Sequence, residues 1–149
     1  MAGILQPVFT ISESDITTVV ALSQHIPELV QPHGAAEYHR RLQGTPHLIL
    51  VATVAGQLAG FKVGYEREGY FYSWMGGVLP AHRRQGIAQG LANAQEAWAR
   101  AHGYPAITFK TRNNHKAMLL FALQNGFDII GFEPKETPQA HRILLRKQL

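Results

Sequence analysis

Apolar and polar residues alternate in two rhythms along this chain, and the changes of rhythm mark its elements. Val8 to Ile11 has the character of a short first strand. Ile16, Val19, Val20 and Leu22 then recur at helical spacing. Ser12 or Ser14 is placed to cap that helix, with Glu13 and Asp15 in its first turn, where the dipole favours acids. Pro27 and Pro32 break the pattern, a second helix is expected over Ala35–Leu42, and Gly44-Thr45-Pro46 closes it. Leu48–Val54 is apolar and β-branched, Gly56-Gln57 turns the chain, and Leu58–Tyr65 returns as a hairpin partner. After the polar turn Glu66–Gly69 a strand runs from Phe71 to Val78, and a proline-free, alanine-rich helix is expected from Gln85 to Ala101. Strand Ala106–Thr111, helix Asn114–Gln124, strand Phe127–Glu133 and strand Arg142–Arg146 complete the series. Hairpins followed by alternating strands and helices predict an α/β (α+β) fold on a mixed sheet, in a single domain over residues 1–149.

The most informative junction is Val78-Leu79-Pro80-Ala81-His82-Arg83-Arg84-Gln85-Gly86-Ile87-Ala88, where a strand feeds a glycine-containing turn that opens the long helix. The first amides of a helix lack intrahelical partners and lie at the positive end of its dipole, so such a junction can hold an anion. Arg83 and Arg84 bring full charges to the same place. A phosphate or pyrophosphate is therefore expected there. A nucleoside triphosphate loop would need Gly-Lys-Ser or Gly-Lys-Thr where the chain has Gly86-Ile87-Ala88, and no G-x-G-x-x-G follows an N-terminal strand.

The spacing Arg83-x-x-Gly86-x-Ala88, preceded by Val78-x-Pro80, resembles the acyl-CoA pyrophosphate loop of the GNAT superfamily of N-acyltransferases. Asn114 with Ala117 three residues on, leading to Asn125-Gly126-Phe127, resembles the family's following helix. The resemblance implies a mixed, mostly antiparallel central sheet with helices on both faces. It implies acetyl-CoA as cosubstrate and direct attack of an amine on the thioester. It places Val78 and Leu79 beside the pantetheine arm and the acyl carbonyl, Arg83, Arg84, Gln85, Gly86, Ile87 and Ala88 around the pyrophosphate, and Asn114 on the CoA arm or as a cap for its own helix. Gly86 would let the diphosphate approach where a Cβ would obstruct it. Gly76-Gly77 stands where a bulge would open the groove. A homodimer is a further implication, since dimers are common in the family.

Proton transfer is harder to place. The family often supplies a tyrosine acid about seven residues after the asparagine; here that place is Phe121, whose hydrocarbon ring donates no proton. Glu66 and Glu68 flank the turn before the central strand and are candidate bases, or plain solvated charges. By alternation Tyr72 and Trp74 share a face with Gly76 and Val78, so Tyr72 either lines the acceptor pocket or belongs to the core. His82 and His115 titrate near neutrality but stand where surface histidines are common.

Composition narrows the alternatives. The chain has 149 residues, 46% hydrophobic and 16% charged, which suits one globular domain. There is no cysteine, so disulfides and thiolate chemistry are excluded, and the 8 histidines show no metal-ligand spacing. The formal charge of +4 is scattered rather than striped, which argues against nucleic acid as partner. No apolar run is long enough to span a bilayer, and Met1–Pro7 has no secretory pattern, so a cytoplasmic location without a membrane partner is expected. The expected function is N-acetyl transfer from acetyl-CoA to a primary amine of a small molecule or peptide. The alternative is a CoA-binding module on the same fold without catalysis.

Overall fold

The computed structural model describes residues 8–149; the N-terminal segment read for a secretory pattern lies outside them. Strand β1 (Phe9–Glu13) is followed by helices α1 (Ile16–Ser23) and α2 (Ala35–Leu42). A meander of β2 (His47–Val54), β3 (Gln57–Arg67) and β4 (Tyr70–Val78) leads to helix α3 (Ile87–Ala101). Strand β5 (Ala106–Arg112), helix α4 (Lys116–Gln124), β6 (Asp128–Glu133) and β7 (Arg142–Gln148) complete the chain. The strands form one seven-stranded sheet in the order β1-β2-β3-β4-β5-β7-β6. Every pairing is antiparallel except β4 with β5.

Alternation along the strands divides the core in two. Ile49, Val51, Phe61, Val63 and Tyr65 pack against Val19 and Leu22 of α1 and Tyr38 and Leu42 of α2. Leu48, Leu50, Ala52 and Phe71 pack on the other face against Ile87, Leu91 and Ala99 of α3. Helices therefore cover both faces of the mixed sheet, as the family resemblance implies.

Local chemistry shifts several boundaries. The cap of α1 is Asp15, whose Oδ1 accepts from the Thr18 amide at 2.8 Å. Ser12 and Glu13 are spent in β1, and the Ser14 amide donates to the Ile49 carbonyl at 3.0 Å, so neither serine caps. Helix α3 begins at Ile87 rather than Gln85 because Arg84 (φ 63°) and Gly86 (φ 81°) take left-handed conformations that no helix accepts. Helix α4 begins at Lys116, since the Asn114 amide donates to the Gln139 carbonyl at 3.0 Å in a preceding turn.

One expectation is overturned. The β4 bulge falls at Trp74, not at Gly76-Gly77: Val63 pairs with Met75 and Gly64 with Ser73, leaving Trp74 unmatched. The cause lies on the partner strand. A Cβ on Gly64 would sit against the Phe71 ring and 2.8 Å from the Tyr72 carbonyl, so glycine there allows the close approach. Gly77 instead makes room for Ile26, whose Cδ1 would lie 2.8 Å from an added Cβ. The extra residue inverts the alternation, so Tyr72 and Trp74 belong to the α1–α2 face while Val78 belongs to the α3 face.

Candidate functional site

Strands β4 and β5 pair at only two rungs, Phe71 with Ile107 and Tyr72 with Thr108. Beyond Tyr72 no strand among the described residues pairs with that side of β4, so the centre of the sheet opens into a gap. The Leu79 amide donates to the Ala59 carbonyl at 2.8 Å, which fixes the phase of the β3–β4 ladder. In that phase Gly76 and Val78 turn their N–H and C=O groups away from β3 and into the gap. The Val78 carbonyl accepts from Arg83 Nε at 3.2 Å. Leu79, expected to offer main-chain groups, has its N–H committed to β3.

At the wide end of the gap the chain makes a 3₁₀ turn over Pro80–His82 and then the left-handed residues Arg84 and Gly86. Among the described residues, none of the main-chain amides from Arg84 to Gln89 donates to a backbone or side-chain acceptor; the first α3 amide so engaged is that of Gly90, to the Gly86 carbonyl at 2.9 Å. This run of unpaired donors at a helix N-terminus forms an anion cradle. Gly86 is required by its backbone: a Cβ would meet only Phe9 at 3.9 Å, but φ of 81° strains any L side chain. Ile87 anchors the turn by burial in the α3 core. Ala88 is exposed, and Gln85 is half-buried with Oε1 lacking a partner.

The two arginines part company. Arg84 is exposed and forms no ion pair among the described residues. Arg83 reaches across to Glu28, in the α1–α2 connection, with Nη2 2.5 Å and 2.8 Å from the two carboxylate oxygens. Asn114 lies just past the end of β5, on the other lip of the gap; it is exposed and does not cap α4. His115 occupies that cap position without a side-chain capping bond, and His82 ends the 3₁₀ turn. A link that no local pattern reveals joins α3 to the end of α4: Gln89 Nε2 donates to Asn125 Oδ1 at 2.7 Å, and Asn125 Nδ2 donates to the Phe121 carbonyl at 2.8 Å.

The two catalytic candidates are not brought together. Tyr72 pairs with Tyr65 on the α1–α2 face, while Glu66 pairs with Phe71 and belongs to the opposite face beside Tyr104. Tyr72 stands at the last β4–β5 rung, where the gap begins. Burial pushes its hydroxyl above the usual tyrosine range, so it keeps its proton at neutral pH. Glu68 sits in the turn, accepting from the Tyr70 hydroxyl at 3.5 Å.

Two features lay outside the sequence expectations. On the α1–α2 face, a cleft at the foot of the gap is lined by Arg67, Tyr70, Tyr72, Thr108, Lys110 and Arg146 among others. On the α3 face, Lys62 faces Leu50 and Gly76 across the ladders, half-buried and with no carboxylate partner among the described residues. Desolvation pulls its ammonium down to about 8. A larger depression, about 460 Å³, lies away from both, at the foot of α2 among Ile16, His39, Leu42 and Pro46. Among the described residues no group of three or more His, Asp or Glu could hold a metal ion, and no helix is long and apolar enough to cross a membrane.

Comparison with known proteins bears on this geometry. The model of the Acetyltransferase (GNAT) family matches residues 17–127. The acetyltransferase YE1169 of Yersinia enterocolitica is 29% identical over 142 residues, covering 92% of this chain and 91% of its own. The ribosomal-protein-S18-alanine N-acetyltransferase of Escherichia coli superposes with a TM-score of 0.81 at 17% identity, over 95% of this chain and 94% of that one. A GNAT family acetyltransferase from Elizabethkingia anophelis, solved with acetyl-CoA bound, gives 0.76 at 18% identity, over 95% and 98%.

Proposed function

The chain belongs to the Acetyltransferase (GNAT) family, and we propose on that premise that it transfers an acetyl group from acetyl-CoA to a primary amine. One observation carries the reading: an unpaired central strand edge leads straight into a run of unpaired helix-start amides. Such a path fits an extended cosubstrate with amide-bearing and diphosphate parts. The N–H groups of Gly76 and Val78 would pair with the pantetheine arm as a neighbouring strand does. The amides from Arg84 to Gln89, with the Arg84 guanidinium, would hold the pyrophosphate. Asn114 would close the arm from the β5 side. Acetyl-CoA supplies the activated thioester.

The residues of this chain would do the rest. A main-chain N–H on the gap side of β4 would steady the oxyanion formed when the amine attacks. Tyr72, still protonated at neutral pH and standing at the last β4–β5 rung, would line the acceptor side and return a proton to the departing thiolate. Phe121 takes no part in proton transfer. Glu66 stands on the wrong face to act with Tyr72 and is set aside as the base; the amine would lose its proton to solvent.

Thermal denaturation with acetyl-CoA tests the binding half. A ligand at a hundredfold excess over its Kd stabilises by about 2.7 kcal/mol. Gly86→Asp sets a carboxylate and a strained backbone in the cradle, and is expected to abolish the shift. An unaltered shift in that variant overturns the cradle assignment. Thiol release with a panel of amines tests the catalytic half. The absence of an acidic side chain at Phe121 favours a second reading, a CoA-binding module without turnover, which predicts the thermal shift and no thiol release with any amine.

A further inference from the structure

Resting on the acyltransferase reading, we propose that the acceptor is a small amine that also carries an oxyanion, a carboxylate or a phosphate, held by Arg67 and Arg146 over the Thr108 hydroxyl. These residues come from three strands, β3, β7 and β5, and line one cleft of about 90 Å³ at the rung where β4 and β5 part. The cleft is built rather than merely charged. Thr108 is 9% exposed, and its Oγ1 is buried without a hydrogen-bond partner. A buried hydroxyl left unsatisfied is costly, and an oxyanion in the cleft would satisfy it.

The guanidinium groups are pre-positioned. Arg67 lies over the Tyr72 ring at 5.1 Å from its centroid, and Arg146 over Tyr70 at 6.0 Å. Both distances lie within cation–π range, so each ring helps hold its guanidinium beside the cleft, where it can offer two donors to a carboxylate or phosphate. Neither arginine forms an ion pair among the described residues; Arg146 has only a long contact, Nε to Gln148 Oε1 at 3.4 Å. Asp128, directly across the β6–β7 ladder from Arg146, makes no ion pair with it. Lys110 is matched by Glu133 at 3.2 Å. The cleft therefore combines in its lining two guanidinium groups that have no carboxylate at ion-pair distance among the described residues with a threonine whose hydroxyl is buried and unpartnered. Its size suits a single anionic group, with the rest of the acceptor directed along Tyr72 into the gap. A small molecule fits that arrangement better than a peptide, whose chain would have to leave past the rings of Tyr70 and Tyr72.

The test uses ω-amino carboxylates and ω-aminoalkyl phosphates of graded length, their neutral isosteres (carboxamide or alcohol), and peptides with acidic N-termini. Calorimetric binding of the amines alone is read beside acetyl-CoA-dependent turnover. Wild-type protein is expected to bind at least one anionic series, with kcat/KM at least tenfold above the neutral isostere. The double variant R67Q/R146Q is expected to lose that binding and that preference while keeping its acetyl-CoA thermal shift, which shows that it is folded; Lys135→Gln, at an exposed site, should match wild type throughout. Carboxylate against phosphate is settled by which series binds. Equal binding or turnover of neutral isosteres, undiminished binding in R67Q/R146Q, or preference for acidic peptides over every small amine overturns the proposal. Calorimetry needs no acetyl-CoA. Anion binding without an acetyl-CoA shift would therefore defeat the acyltransferase reading alone, and the shift without anion binding would defeat this proposal alone.

Discussion

Replacing Lys62 by methionine removes an ammonium that the fold desolvates without giving it a counter-charge. Its neighbours across the sheet are Leu50 and Gly76, and burial draws its pKa from 10.5 to about 8. The folded value lies below the unfolded one. Between pH 8 and 10.5 the unfolded chain thus binds more protons, and stability must rise with pH across that window. Integrating from pH 7 to pH 9.5, wild type gains about 2 kcal/mol, or about 4–8 °C in Tm for a chain of this size. Partial solvent contact at Lys62 makes these figures upper limits. Methionine has similar length and no charge, so at pH 7 the variant should exceed wild type by up to about 3 kcal/mol. The gap should narrow to about 1 kcal/mol by pH 9.5 and close only above pH 10.5. Tyr38, Tyr72 and Tyr104 have raised values, so their stability is lost only above pH 10 and cancels in the difference. Urea unfolding followed by the fluorescence of Trp74 and Trp98 at pH 7, 8, 9 and 9.5 measures the gap. Curves that stay parallel over this range would refute the account of Lys62 as a desolvated, unpaired ammonium.

Further outcomes are expected at sites chosen for their geometry. Gly64→Ala would drive a Cβ to 2.8 Å from the Tyr72 carbonyl, a backbone atom that cannot swing aside, and should cost at least about 2 kcal/mol in urea unfolding. Gly44→Ala and Gly86→Ala meet nothing closer than 3.9 Å but hold φ of 73° and 81°, so each should lose about 1 kcal/mol; only the second should weaken acetyl-CoA binding by calorimetry. Leu91→Ala, at 2% exposure beneath α3, should cost about 2–5 kcal/mol and leave a cavity at the sheet. Glu28→Gln frees Arg83 from an exposed pair, with little change in stability and tighter acetyl-CoA binding; unchanged affinity would show that Arg83 does not serve the cradle.

The elements themselves were legible because each is signalled locally. The apolar, β-branched run Leu48–Val54 and the glycine turn after it suffice for β2 and β3, and the run from Ile87 to Ala101 for α3. The anion cradle was legible for the same reason: strand, turn and helix start are contiguous. What escaped depends on partners far along the chain. The bulge at Trp74 is set by the absence of a side chain at Gly64, ten positions earlier, and it alone reverses which residues share a face with Tyr72. The Arg83–Glu28 pair spans 55 positions, and no spacing rule connects them. The cleft gathers Arg67, Thr108 and Arg146 from three strands, each unremarkable where it stands. Lys62 reads as an ordinary strand lysine until α3 is laid over it.

A β-sheet normally has raw margins only at its two flanks, where bare donors and acceptors invite strands from other molecules. Here a third margin exists in the interior, because β4 and β5 separate after two rungs. Helices on both sides shelter it from protein-sized visitors, so it carries little of the self-association hazard that an outer margin does. A slender chain can still slide in and find hydrogen-bonding groups at strand spacing. The protein thus keeps an adhesive surface permanently ready and admits to it only what is thin enough to reach it.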